Sequence, residues 1–167
     1  MRACPVCGGP TQIVRHDYVF NESGLSNVVL EDIEFLRCKS CNTEVPRIPR
    51  LNDLIRAIAL AVITKPYELT GEEIRFLRKY AERTAAEFAE LLGVDASTLS
   101  RWENDQQKAG DQSDRLIRLI ALGIGEGLKE KLETTIHGFR TVGKKPARRV
   151  TLSVNPQTRR VQYKDSA

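Results

Sequence analysis

The 167-residue chain is 41% apolar and 29% charged, a globular balance that excludes wholesale disorder and fits one domain or two small ones. No secretory start is readable, and the most apolar stretch, Leu51 to Thr64, is broken by Asp53 and Arg56, short of the ~20 residues of a membrane span, so the cytoplasm is expected. The net charge of +4 is uneven: seven basic residues face seven acidic in 1–64, eleven face fourteen in 65–137 and eight face one in 138–167, which places the positive excess where it could meet phosphate.

Cysteine defines the first region. Cys4-Pro5-Val6-Cys7-Gly8 and Cys38-Lys39-Ser40-Cys41-Asn42 are two knuckles, and no cysteine follows them. Two intervening residues let both sulfurs of a knuckle reach one ion. Four thiolates make a closed tetrahedral site that suits structural Zn2+ and leaves no position for a water nucleophile. Gly8 and Asn42 suit the left-handed conformation that turns backbone amides toward sulfur. The thirty-residue gap between Cys7 and Cys38 exceeds the usual ~15 to 20, so a hairpin must join its ends. Gln12 to Phe20 and Val28 to Arg37 are rich in Val, Ile, Tyr and Phe, with Asn21-Glu22-Ser23-Gly24 as the turn. A small antiparallel sheet is expected, as a separate unit. Free thiols, disulfides, a thioredoxin-like redox pair or rubredoxin-like iron are the other chemistries open to the quartet. A redox pair needs a motif that opens a helix after a strand, and none is visible here. His16 stands alone in a strand and is read as a surface or half-buried histidine. Metal would supply much of this module's folding energy, so chelation should unfold it first.

Pro46-Arg47-Ile48-Pro49-Arg50 reads as an extended connector, because two prolines fix φ and remove backbone donors. From Leu51, apolar residues Leu54, Ile55, Ile58 and Val62 recur at helical spacing until Lys65-Pro66. Leu60 and Ile63 widen the apolar face. Such a helix needs cover from the following domain or from a second copy of the chain, and the second copy is the preferred reading.

Residues from Thr70 to about Thr135 read as helices. Thr70 with Glu73, then Thr84 with Glu87, form two capping boxes. The first opens an amphipathic run, Glu72 to Tyr80, and the second a helix through Phe88, Ala89, Leu91 and Leu92 that ends at Gly93. Asp95 is placed as the cap of a third helix, Ala96 to Glu103. Ala89 permits a close crossing, and Phe88, Leu92, Val94, Leu99 and Trp102 fill the angle between the helices. Ala96, Ser97, Ser100 and Arg101 stay outward, short enough for a major groove and carrying one guanine-competent arginine. Leu122 to Gly127 is glycine-rich but lacks the lysine-serine ending of a phosphate loop, and is read as a helix break. His137, Asp111 and Asp114 form no acid-base constellation, and no catalytic residue is assigned.

At these residues Leu69 to Leu122 resembles the Xre/Cro type of phage-repressor helix-turn-helix, notably in Thr84 to Leu92, Gly93 and Thr98-Leu99-Ser100-Arg101-Trp102-Glu103-Asn104. The resemblance implies that Thr84 and Ala85 contact phosphate and that the first turns of the third helix, with Thr98, read bases. Ala85 stands where the pattern has glutamine, so phosphate positioning falls to Arg83, Lys108 or the tail. Together with the knuckles, the architecture is similar to MqsA-type antitoxins with a YgiT-type zinc finger. That similarity implies a toxin-binding zinc domain ahead of a dimeric DNA-binding domain. Leu51 to Thr64 and the basic tail have no counterpart in it.

After Gly138, Val150 to Val154 and Arg160 to Tyr163 alternate around Asn155-Pro156-Gln157-Thr158, which would fold the tail into a hairpin instead of a free arm. Lys144, Lys145, Arg148 and Arg149 precede it as candidate phosphate contacts. The expected fold is α+β: a β-rich zinc ribbon (1–46), a linker and apolar helix that could be a dimer contact (47–66), an all-α helix-turn-helix domain (67–137) and a basic tail with a hairpin (138–167). The expected function is a homodimeric, sequence-specific regulator of double-stranded DNA, a repressor and the antitoxin of a toxin pair. An RNA-binding zinc-ribbon protein and a thiol redox enzyme are the alternatives.

Overall fold

A computed structural model describes residues 3–124 and 150–165. Strand β1 (Thr11–Val19) and strand β2 (Val28–Cys38) pair antiparallel, with Thr11 opposite Cys38 and Val19 opposite Val29. Their link holds a 3-10 turn at Asn21–Ser23, closed by Gly24 at φ 80. His16 faces Ile33 and Tyr18 faces Leu30, so Asp17 stands against both Glu31 and Asp32. This bulge sets Asp32 at φ 52, and the Asp17 carboxylate accepts from the Asp32 amide at 3.0 Å. The extra residue moves the inward side of β2 from Val28 and Leu30 to Ile33 and Phe35, all four buried.

Strand β3 (Glu44–Arg47) pairs antiparallel with β2, with Pro46 opposite Phe35. The expected connector is therefore partly a strand. A proline is tolerated because β3 pairs on one side only and its other edge asks for no donor. Helix α1 (Leu51–Thr64) buries Leu54, Ile58, Ala59, Val62 and Ile63. Helices α2 (Gly71–Tyr80), α3 (Ala85–Leu92), α4 (Ala96–Glu103) and α5 (Asp111–Ile124) follow. α5 runs through Gly123 to Ile124, and the rest of the expected break, Gly125 to Gly127, lies outside the described residues. The expected helix beyond 124 lies outside the described residues.

The tail hairpin is present as β4 (Val150–Asn155) and β5 (Arg160–Asp165). Asn155 shapes its turn by accepting from the amides of Gln157 and Thr158. β4 then runs parallel to the start of β2, with Val28, Leu30 opposite Leu152, Val154. The sheet is thus mixed and five-stranded, where a small antiparallel one was expected.

One hydrophobic cluster joins the sheet, α1 and the helices after it: Val28, Leu30 and Leu152 belong to it along with Ile58, Leu77, Phe88 and Leu99. The apolar side of α1 is therefore covered by this chain's own sheet, α2 and α5, not by a second copy as the sequence reading preferred. Likewise, the cysteine region shares its core with the rest instead of standing apart. A parallel strand from the far end of the chain supplies cover that local sequence does not announce. Among the described residues, no helix is long and apolar enough to cross a membrane.

Candidate metal centre and nucleic-acid interface

The two knuckles repeat one backbone design. The Gly8 amide donates to the Cys4 carbonyl and the Asn42 amide to the Cys38 carbonyl, while Cys4 donates to Gly9 and Cys38 to Thr43. Gly8 at φ 71 and Asn42 at φ 57 turn each knuckle. The amide of Val6 points at the Cys4 sulfur and that of Ser40 at the Cys38 sulfur, at 3.4 and 3.3 Å. β1 and β2 carry the knuckles to one end of the sheet.

There the four Sγ atoms lie within 4.8 Å of one another. Contacts at 3.7 Å (Cys4 to Cys41) and 3.4 Å (Cys7 to Cys38 and to Cys41) run between the knuckles. A Zn–S bond of ~2.3 Å gives a tetrahedron with edges of about 3.8 Å, so the quartet fits that ion. All four cysteines are free of disulfides. Gly9 allows this approach, because a Cβ there would stand 2.6 Å from Ser40 Oγ and 3.3 Å from Cys38 Sγ. The Thr43 hydroxyl and amide hold the Cys41 thiol down at about 6. The amides of Cys41 and Ser40 lower Cys38. At Cys7 the Gly9 amide favours the thiolate, but the crowding sulfurs of Cys38 and Cys41 push it up to about 12. Four thiolates at this spacing need a cation between them.

His16 does not join the cluster. It stacks on Phe35 at 4.0 Å and faces Glu44 at 3.1 Å. The Asp17 carbonyl and then the Glu44 carboxylate raise its pKa.

Both capping boxes form: the Thr70 hydroxyl accepts from the Glu73 amide and the Thr84 hydroxyl from the Glu87 amide, and each glutamate returns the bond. Gly93, at φ 67, ends α3 and turns the chain into α4. Asp95 makes no side-chain cap bond, contrary to expectation. α4 is positioned by tertiary contacts instead. Leu99, Trp102 and Glu103 are buried. Arg78 grips the Glu103 carboxylate through Nε at 2.6 Å and Nη2 at 2.9 Å. Arg75 donates to the Glu103 carbonyl and to Asn104 Oδ1. Asp105 accepts from the Gly71 amide at 3.0 Å.

This grip leaves the other side of α4 in solvent: Ala96, Ser97, Ser100 and Arg101 are exposed and Thr98 half-buried. Arg101 Nη2 donates to Thr98 Oγ1 at 2.9 Å. Thr84 and Ala85 are exposed at the start of α3. Lys108 is exposed and paired with Glu68 at 2.9 Å. Lys144, Lys145, Arg148, Arg149 and His137 lie outside the described residues.

Sequence reading missed the Arg75, Arg78 and Glu103 grip, which joins residues with no common period. It also gave Glu73 only its capping role and Asp114 no partner. Both are buried in ion pairs, with Lys65 and Arg118. The Asp114–Arg118 pair did carry a local signal, the i, i+4 spacing.

Neither curated proteins nor solved structures gave a match to this chain. Residues 74–120, which run from within α2 to within α5, match the helix-turn-helix family model, and this supports a DNA-binding regulator.

Proposed function

We propose that the protein is a sequence-specific, homodimeric transcriptional repressor of the cytoplasm, with Zn2+ held structurally by Cys4, Cys7, Cys38 and Cys41 and no catalytic role. The observation that carries this reading is the solvent-facing side of α4 in a matched helix-turn-helix. Ala96, Ser97, Thr98, Ser100 and Arg101 would meet base edges in the major groove, with Thr84, Ala85 and Lys108 near phosphate. Lys144, Lys145, Arg148 and Arg149 would add phosphate contacts from the tail. A dimer suits the exposed Leu91, Leu116 and Leu119 of α3 and α5 and lets two α4 helices read half-sites about one turn of DNA apart. The order of modules supports an antitoxin role, and exposed Val6 and Ile13 offer a protein partner apolar contact on the zinc end.

The test is selection from a randomised duplex pool by zinc-loaded full-length protein, followed by titration of single-base variants. The wild type should discriminate, and Arg101→Ala should lose about 1 to 3 kcal/mol of preference at one base pair. Replacing the four tail cations should weaken binding to all duplexes and flatten its salt dependence. Equal affinity for every duplex, or tighter binding to single-stranded RNA, would overturn the regulator reading. Sedimentation reports the dimer, and co-purification with the product of an adjacent small gene reports the toxin.

A further inference from the structure

Arg101 is the one long cation on the outer side of α4, and a free arginine there would sample many rotamers before finding a base. It is not free: Nη2 donates to Thr98 Oγ1 at 2.9 Å, one helical turn earlier. The threonine backbone is itself tied, its amide donating to the Asp95 carbonyl at 2.9 Å. β-Branching restricts the Thr98 side chain at χ1, so the hydroxyl offers a stiff anchor. Guanidinium geometry makes the consequence specific. A bidentate contact to a guanine needs two parallel N–H groups from one edge of the fork. With one Nη2 hydrogen committed to Thr98, one of the two edges that use Nη2 is closed and the other is left to face outward.

We infer that Thr98 is a positioning residue for base reading: its hydroxyl selects the edge of Arg101 presented to DNA and so sets the discrimination that Arg101 delivers. This rests on the DNA-reading role proposed above and corrects one part of it, since Thr98 acts through Arg101 and not by touching a base. Neighbouring Ser100 has a side-chain partner too, since Asn104 Nδ2 donates to its hydroxyl at 3.4 Å. Asn104 also donates to the Ser100 carbonyl at 2.8 Å while accepting from Arg75, so the outer side of α4 enters the groove largely preset. Presetting lowers the ordering cost of binding.

The experiment uses full-length, zinc-loaded protein and the duplex it prefers from a randomised pool, with a variant duplex in which the guanine read by Arg101 is replaced. Thr98→Val keeps shape and removes the hydroxyl, and Thr98→Ser restores it. Thr98→Val should reduce the affinity ratio between the two duplexes about three- to tenfold, the range of one newly immobilised side chain. Thr98→Ser should recover most of that loss. In an Arg101→Ala background, Thr98→Val should leave the ratio unchanged, which a direct Thr98–base contact or a general weakening of α4 would not produce. An unaltered ratio in Thr98→Val, or a full effect without Arg101, overturns the inference. Absence of any sequence preference in the wild type instead overturns the regulator reading beneath it. Thermal unfolding of each variant excludes loss of fold as the cause.

Discussion

Arg118 is 0% exposed, and its guanidinium serves backbone instead of ligand. Nη1 donates to the carbonyls of Ile63 and Lys65, both at 2.8 Å, and Nη2 donates to that of Tyr67 at 2.5 Å. Asp114 balances the charge at 2.6 Å and accepts from the Leu69 amide with its other oxygen. α1 thus ends on a side chain from α5, which satisfies carbonyls that have no partner inside the helix. Arg118→Met would keep the volume but strand those carbonyls and leave Asp114 as a lone buried charge. The expected loss is about 3 to 5 kcal/mol, read from the denaturant midpoint. A loss below about 1 kcal/mol would mean that water replaces the guanidinium and that the end of α1 is not sealed. Lys65 and Glu73 stand nearby with the same logic, and burial lowers the Lys65 pKa even with its partner in contact.

At the level of elements, the junction of α2 and α4 decides how the reading side is presented. Gly71 opens α2 directly beneath the end of α4, where an added Cβ would lie 2.6 Å from the carbonyl oxygens of Trp102 and Glu103. Those are backbone atoms and cannot rotate aside. Gly71→Ala should therefore push the two helices apart, costing about 1 to 3 kcal/mol and weakening DNA binding without touching the outer side of α4. Trp102, the single tryptophan, is buried at this junction and its emission reports the change. Unchanged emission with unchanged affinity would show that the helices yield freely there. The helices themselves were legible because their signals are local: Thr70 with Glu73, Thr84 with Glu87, and Gly93 each act within one turn. Asp95 shows the limit of such signals. It has the right residue type for a cap and makes no cap bond, because packing of Leu99 and Trp102 and the grip on Glu103 already fix α4. The cysteine quartet was legible by spacing, whereas its thirty-residue gap hid a bulge at Asp32 that no periodicity marks.

The whole molecule closes on itself through the tail. Leu152 and Val154 lie 1% and 0% exposed beside Val28 and Leu30, and they extend the core that α1 shares with α2 and α5. Their pairing joins residues more than a hundred positions apart, so alternation could announce the hairpin but not its place in the sheet. Burying two aliphatic side chains is worth about 3 to 6 kcal/mol, a large part of the 5 to 15 kcal/mol that typically holds a domain together. Deleting residues 150–167 should therefore lower the unfolding temperature strongly, and hydrogen exchange should lose protection at Val28 to Leu30 and along α1 as well as in the missing strands. The intact, zinc-loaded chain should unfold in one transition, because among the described residues a single hydrophobic cluster joins the sheet to the helices. Two separated transitions, or a deletion that leaves β2 and α1 protected, would show that the zinc end and the helices fold independently and that the tail only decorates them.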